Sequence, residues 1–294
     1  MWELLLWLAG LLLVGTGLQT FAFYAIWFYE QRVSPELAEV PGGSPVRWWQ
    51  ALLGAMREWL SITALVVSYP LRLLHDASPV KNRRPGEEPI ILVHGYGGDS
   101  ANFLLMQWRL KRRGWRNVYA VSYTPPIIDA RKLAQQVADH VDAVLRVTRA
   151  EKAHLVCHSM GGPLARYALH HLGLAGRVGK VITLGSPHAG SRVANLFPAI
   201  GAAFQMRYQS AFIRELNALG EPPGGTRFYS IYSNFDNFIL PASSAVLPGA
   251  GNIHVPLHGH CALLYSARVL DEVEACLRGT SEQSEPAEES AQEH

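Results

Sequence analysis

Two patterns of apolar residues divide this chain. Up to Leu74 they run nearly unbroken; from Ile90 onward they come in short blocks separated by polar segments with Gly and Pro. Leu4 to Tyr29 holds 26 residues without a charge. As an α-helix rising ~1.5 Å per residue, that run exceeds the ~30 Å hydrocarbon core of a bilayer. Trp2 and Trp7 lie at one end and Phe21, Phe23, Tyr24, Trp27, Phe28 and Tyr29 at the other, rings that suit the headgroup region. No Lys or Arg precedes the run, where a cleaved signal peptide wants a basic start. The pattern predicts an uncleaved transmembrane anchor helix over residues 1–30.

Residues 31–85 read as a linker, with Pro41-Gly42-Gly43-Ser44-Pro45, and a second apolar juxtamembrane stretch from Trp48 to Leu74. Its charge-free part, Trp59 to Leu71, is short for a span and fits a helix lying at the membrane interface or on the domain. A second span is the alternative, and it requires Arg57 and Glu58 to be buried or paired. Arg32, Arg47, Arg72, Lys81, Arg83 and Arg84 all follow the first run. Positive charge stays cytoplasmic, so the main domain is expected on the cytoplasmic side of a bacterial-type inner membrane.

Past the polar boundary Lys81–Pro89 the blocks alternate. Ile90–Val93, Asn117–Ser122, His154–Cys157, Lys180–Leu184, Phe228–Tyr232 and Asn252–Val255 read as strands. Runs apolar on both faces suit buried parallel strands. Ala101–Arg113, Ile128–Thr148, Met160–Leu172 and Ser266–Leu277 read as helices; Leu133, Val137, Val141 and Val144/Leu145 form one apolar face. The alternation predicts an α/β fold over residues 86–278: a mostly parallel sheet of about six strands with helices on both faces. Residues 191–226 interrupt the rhythm and are either a lid above the sheet edge or an ordinary crossover helix with a long loop. The Glu-rich tail, 279–294, is expected to be disordered. Charged residues are only 17% of the chain and net charge is +2, too balanced for an electrostatic nucleic-acid binder. Three cysteines lack the spacing of a disulfide framework.

The chemistry concentrates at Cys157-His158-Ser159-Met160-Gly161-Gly162, directly after a strand and opening a helix. A serine on such a tight turn has its hydroxyl lifted clear of the sheet, and close backbone on both sides demands small residues two before and two after it. Gly161 meets that demand; Cys157 stands where the motif has Gly. The helix amides then point at charge developing on a substrate oxygen. A serine needs a base, and the base an orienting acid. Asp236 follows the fifth strand and His260 the sixth, in the order Ser, Asp, His of α/β-hydrolases. Asp129 and Asp271 are rival acids, and His258 a rival base. His254, His258 and His260 also have the spacing of a metal cluster, with Cys261 adjoining but no acidic neighbour. His94, His158 and His188 read as packing or loop residues, and Cys157 and Cys261 as buried thiols. The glycines of His94-Gly95-Tyr96-Gly97-Gly98 let backbone approach a substrate as the second oxyanion donor.

Ile91–Gly98 resembles the oxyanion loop of bacterial α/β-hydrolase lipases and esterases, and His158–Gly162 their nucleophile elbow. Thr183–Gly190, Ser230–Ser233 with Asp236, and Gly259-His260 with Leu263-Leu264-Tyr265 resemble three further segments in the same order. The likeness spans about residues 88–277 and is closest to small class-2-type lipases; the two N-terminal apolar segments lie outside it. It implies nucleophile Ser159, acid Asp236, base His260, oxyanion amides of Tyr96 and Met160, and neither metal nor cofactor. A lipid or other acyl-ester substrate and membrane attachment through the first helix follow as expectations, with no nucleic-acid partner and oligomeric state left open. A thioesterase or acyltransferase would use the same residues. A non-catalytic membrane scaffold on this fold is the alternative of another class.

Overall fold

Each of the six apolar blocks becomes a strand: β1 Ile90–Val93, β2 Val118–Val121, β3 Ala153–His158, β4 Val178–Leu184, β5 Arg227–Tyr232 and β6 Gly251–His254. The computed structural model describes residues 2–35, 39–43, 46–73, 84–220 and 223–281. Most of the acidic tail, Lys81 to Arg83, Leu74, and Ser44 and Pro45 of the linker lie outside the described residues. The strands form one sheet in the order β2-β1-β3-β4-β5-β6, and every neighbouring pair is parallel. The chain winds outward in opposite directions from β1 and β3. Loops leaving those two strands therefore part around a crevice, where open α/β sheets place their ligands.

The pleat sorts side chains into two layers. Ile91, Val93, Leu155, Cys157 and Val181 face one core with α4 (Ala130–Thr148) and α5 (Gly161–His171). Ile90, Leu92, Val156 and Ile182 face the other, with α3 (Leu104–Arg112), the short α8 (Ala262–Tyr265) and the closing helix α9 (Ala267–Arg278). The helix ends are local choices. Asp129 accepts a hydrogen bond from the Arg131 amide at the start of α4, and the Ser266 hydroxyl accepts one from Val269 N at the start of α9, which stops at Gly279 in the left-handed region.

Residues 191–226 turn out to be two things. Their first half, with a 3-10 turn at Arg192–Leu196 and α6 (Gly201–Gln205), lies over the C-terminal ends of β1 and β3, where Phe197 packs on Tyr96. Their second half carries α7 (Ala211–Asn217), whose Phe212, Ile213 and Leu216 join the core beside α5.

The N-terminal run forms α1 (Trp2–Val33), and the second stretch forms α2 (Trp48–Ser68), which tightens into a 3-10 turn as it meets Pro70. By length and composition both are apolar enough to cross a membrane. They pair as an antiparallel hairpin: Trp59 Nε1 donates to Leu13 O at 3.1 Å, and the Thr16 and Thr63 hydroxyls share a hydrogen bond of 2.9 Å. The hairpin does not stand apart from the sheet domain. On α1, Trp27 Nε1 donates to Asn234 O at 3.0 Å, Phe23 stacks on Phe238 at 4.2 Å, and Glu30 pairs with Arg192. On α2, the buried face Gly54, Glu58, Ser61 and Ile62 lies on the domain. The opposite surface stays apolar and exposed, with Leu4, Leu6, Trp7, Leu11, Leu18 and Phe21 on α1 and Trp48, Leu52, Leu60 and Val67 on α2.

Gly54 tests the seam. A Cβ there would fall inside van der Waals distance of the buried Phe235 ring, whereas one at Gly10 meets nothing within 4 Å. Gly54→Leu is expected to destabilise the detergent-solubilised full chain by ~1–3 kcal/mol, the range for overpacking. Gly10→Leu should leave the thermal midpoint unlowered. Equal midpoints for the two variants in a calorimetric scan would contradict the packing.

Candidate active site

Ser159 has φ +54°, in the left-handed region that a non-glycine residue avoids unless its surroundings impose it. Here they do. β3 runs straight into α5, and Ser159 N donates to Leu184 O at 2.9 Å while Gly162 N donates back to Ser159 O at 3.1 Å. A Cβ on Gly161 would sit 2.8 Å from Val93 O, and one on Gly95 would sit 2.7 Å from Ser159 Cβ. Cys157 is fully buried in β3 beside Thr183, and the turn forms with a thiol where the motif has a hydrogen.

Asp236 and His260 are brought together. His260 Nδ1 donates to Asp236 Oδ2 at 2.9 Å. The other carboxylate oxygen accepts from Phe238 N at 2.8 Å and Ile239 N at 3.0 Å, which locks the side chain. Burial alone would lower the His260 pKa, but the charge and hydrogen bond of Asp236 outweigh it, with Glu58 adding, and hold the imidazole above its ordinary value. Phe238 stacks on the ring at 5.0 Å, and His158 Nε2 donates to the His260 carbonyl at 3.1 Å. Ser159 and His260 line one cavity; no hydrogen bond joins their side chains among the described residues.

The rivals lie elsewhere. Asp271 is exposed on α9 and pairs with Arg113. Asp129 caps α4 and accepts from Gln205. His258 is held between Pro256 O and the Ser266 hydroxyl, and His254 faces Asn234. The three histidines of the suspected cluster thus have three separate partners.

Tyr96 and Met160 stand at the ends of β1 and β3, where register sets Val93 beside Cys157. Their amides take no other acceptor among the described residues, and both residues line the cavity. His94 orders this loop. Its Nδ1 donates to Gly95 O at 2.8 Å, its Nε2 accepts from Tyr123 N at 3.2 Å, and its ring stacks on Tyr123 at 4.0 Å. Burial brings its pKa down to about 4, so the donor-acceptor pattern of the neutral ring persists near pH 7. His158 is likewise kept neutral, by burial and then by the neighbouring His260.

The cavity measures about 430 Å³, within the usual range for small-molecule sites. Its walls are mostly apolar: Val193, Phe197 and Met206 from the insertion, Phe238 and Ile239 from the acid loop, and Phe23 and Leu65 from the N-terminal hairpin. The last two were not among the residues that sequence reasoning assigned to the site. Neither was Glu58, whose carboxylate accepts from the amides of Cys261 and Ala262, just after His260. Its signal was a lone acid in an apolar helix, a residue that must find a buried partner.

Known proteins resemble the chain in both sequence and fold. A family model described as "Lipase (class 2)" matches residues 87–262. A triacylglycerol lipase of Vibrio cholerae serotype O1 is 34% identical over 113 residues, 37% of this chain and 35% of that protein, so the chain spans about a third of that relative's length. The mature lipase BlEst2 of Bacillus licheniformis superposes with a TM-score of 0.57 at 20% identity, covering 68% of this chain and 96% of that one. Lipase B of Aspergillus fumigatus gives 0.56 at 18% identity, covering 68% and 54%. At these identities the two structures speak for fold.

The electrostatics predict a histidine titration. By NMR of the ring protons, His260 should titrate above the ordinary imidazole range and His258 below it, as their opposite shifts require. In Asp236→Asn the carboxylate is gone while burial remains, so the His260 midpoint should fall below that of the wild type. An unchanged midpoint would break the assignment of the pair.

Proposed function

Since the chain belongs to the class 2 lipase family, we propose that it is a membrane-associated serine ester hydrolase acting on acyl esters of amphiphilic or lipid substrates. The observation that carries this reading is the 2.9 Å bond from His260 to a buried Asp236, on the wall of a cavity that also holds the strained Ser159. Ser159 Oγ attacks the acyl carbonyl, and His260 Nε2 takes its proton. Asp236 keeps the imidazole tautomer oriented, and the amides of Tyr96 and Met160 stabilise the tetrahedral oxyanion. Collapse expels the alcohol, which receives the proton from His260. Water, deprotonated by the same ring, then releases the acid from the acyl-enzyme.

The substrate class is argued from the walls. Val193, Phe197 and Met206 suit an acyl chain and offer nothing to a polar one. Each buried methylene is worth ~0.8 kcal/mol, so longer chains gain until the groove is full. Attachment to the cytoplasmic membrane is argued from the length and apolarity of α1, and the basic residues after it favour the cytoplasmic side for the domain. Leu18 and Phe21 on α1 and Leu196, Ile200 and Phe204 on the insertion are exposed around the elements that line the cavity. A lipid surface would cover them.

Three outcomes are expected. Ser159→Ala should fold normally and lower p-nitrophenyl ester turnover by ~10³-fold or more; retained turnover means another nucleophile. Wild-type kcat/KM should be higher for esters of medium chains, from hexanoate to decanoate, than for acetate. A profile falling from acetate onward would mean there is no acyl groove. Detergent, and not a high-salt wash, should release the full-length protein from membranes, and release by salt alone would sink the anchor.

A further inference from the structure

We propose that Glu58, on a helix outside the stretch matched by the family, is a positioning residue that sets the backbone of His260. This rests on the reading of His260 as the general base. Glu58 is completely buried, and among the described residues no Lys or Arg pairs with it. Burying a carboxylate is strongly unfavourable unless it is well hydrogen-bonded. Both its oxygens are used: Oε1 accepts from Cys261 N at 2.9 Å and Oε2 from Ala262 N at 2.8 Å. On the other side of His260, Gly259 lies so close that a Cβ there would collide with the Glu58 carboxylate. Residues 259, 261 and 262 therefore wrap one fixed group, and the residue between them is His260.

The other restraints on His260 act at other atoms: Asp236 on Nδ1, Phe238 on the ring face, His158 on the carbonyl, and Asn237 Oδ1 accepting from its own amide at 3.3 Å. The two N–H groups next in the chain are satisfied by Glu58 alone, which comes from α2. The hairpin is thus part of the site as well as a route to the membrane. Groups facing this cluster are Asp236 and Cys261, His158 from β3, and Tyr24 from α1. Burial brings the Glu58 carboxyl up to about 7, with the two N–H donors pulling the other way. Above that pH it is a carboxylate and accepts both bonds. Its charge then also raises the His260 pKa. Removing that charge lets the imidazole lose its proton at lower pH, so the acidic limb of the rate profile must move down.

The experiment uses the full-length protein in detergent, with p-nitrophenyl octanoate across pH 5 to 9. Wild type, Glu58→Gln, Glu58→Asp and the exposed neighbour Arg57→Gln are compared, with thermal midpoints measured alongside. Glu58→Gln keeps the volume but turns one acceptor into a donor facing an N–H. It is expected to lower kcat by ~10²-fold, the scale of an ångström-level misplacement. KM should stay near wild type, and the acidic limb should shift to lower pH. Arg57→Gln should match wild type. If Glu58→Gln does not fold, Glu58→Asp serves: charge retained and reach shortened predict a reduced kcat with the limb in place. Wild-type kcat and limb in Glu58→Gln overturn the proposal, as does a reduced kcat with an unmoved limb. A wild type that neither turns over ester nor reacts with a fluorophosphonate overturns the hydrolase reading itself.

Discussion

The turn at Ser159 is the constraint on which the rest of the molecule depends. β3 must pass into α5 with a residue at φ +54° between them, an arrangement that raises the backbone energy by roughly 1–3 kcal/mol. It persists because three neighbouring segments close around it. The Gly161 backbone lies against the carbonyls of Val93 and His94, Gly162 against Ser186, and Gly95 against Ser159 itself. The two loops at the switch point of the sheet thereby become one unit. Moving either would push a side chain into backbone.

Around that unit the charges are sorted by burial and partner. His94 and His158 are kept neutral and hold loops in place, while the proposed base is the one histidine among them that faces a carboxylate. Asp236 spends one oxygen on two amides and the other on the ring. Its direction is fixed before any substrate arrives, and so is the tautomer of His260.

The sheet was legible because parallel strands buried on both faces must read as unbroken apolar blocks, as in Ile90–Val93 and His154–Cys157. Open α/β sheets bind ligands at strand ends, so Ser159, Asp236 and His260 stood out as candidates by their position after β3, β5 and β6, and the fold brings Asp236 to His260 and sets Ser159 on the same cavity. What escaped depends on contacts between distant parts of the chain. Glu58 meets residues 203 and 204 positions away, and its partners are backbone amides, which leave no mark in the pattern of side chains. Phe23 looked like one of several interfacial aromatics until it stacked on Phe238. The insertion at 191–226 carried apolar residues for two purposes, pocket wall and core, and a hydrophobic tally does not separate them.

The ties from Phe23, Tyr24, Trp27 and Glu30 to the domain leave α1 little freedom to move relative to the cavity. On the membrane reading, this turns the helix into a spacer of fixed length. If the first half of α1 enters a bilayer as proposed, the cavity, which Gln19 and Phe23 help to line, is held beside that bilayer. Supply to it is then a two-dimensional problem. The relevant quantity is the mole fraction of ester in the bilayer, and diluting the substrate with inert lipid starves the enzyme even when its bulk concentration is unchanged.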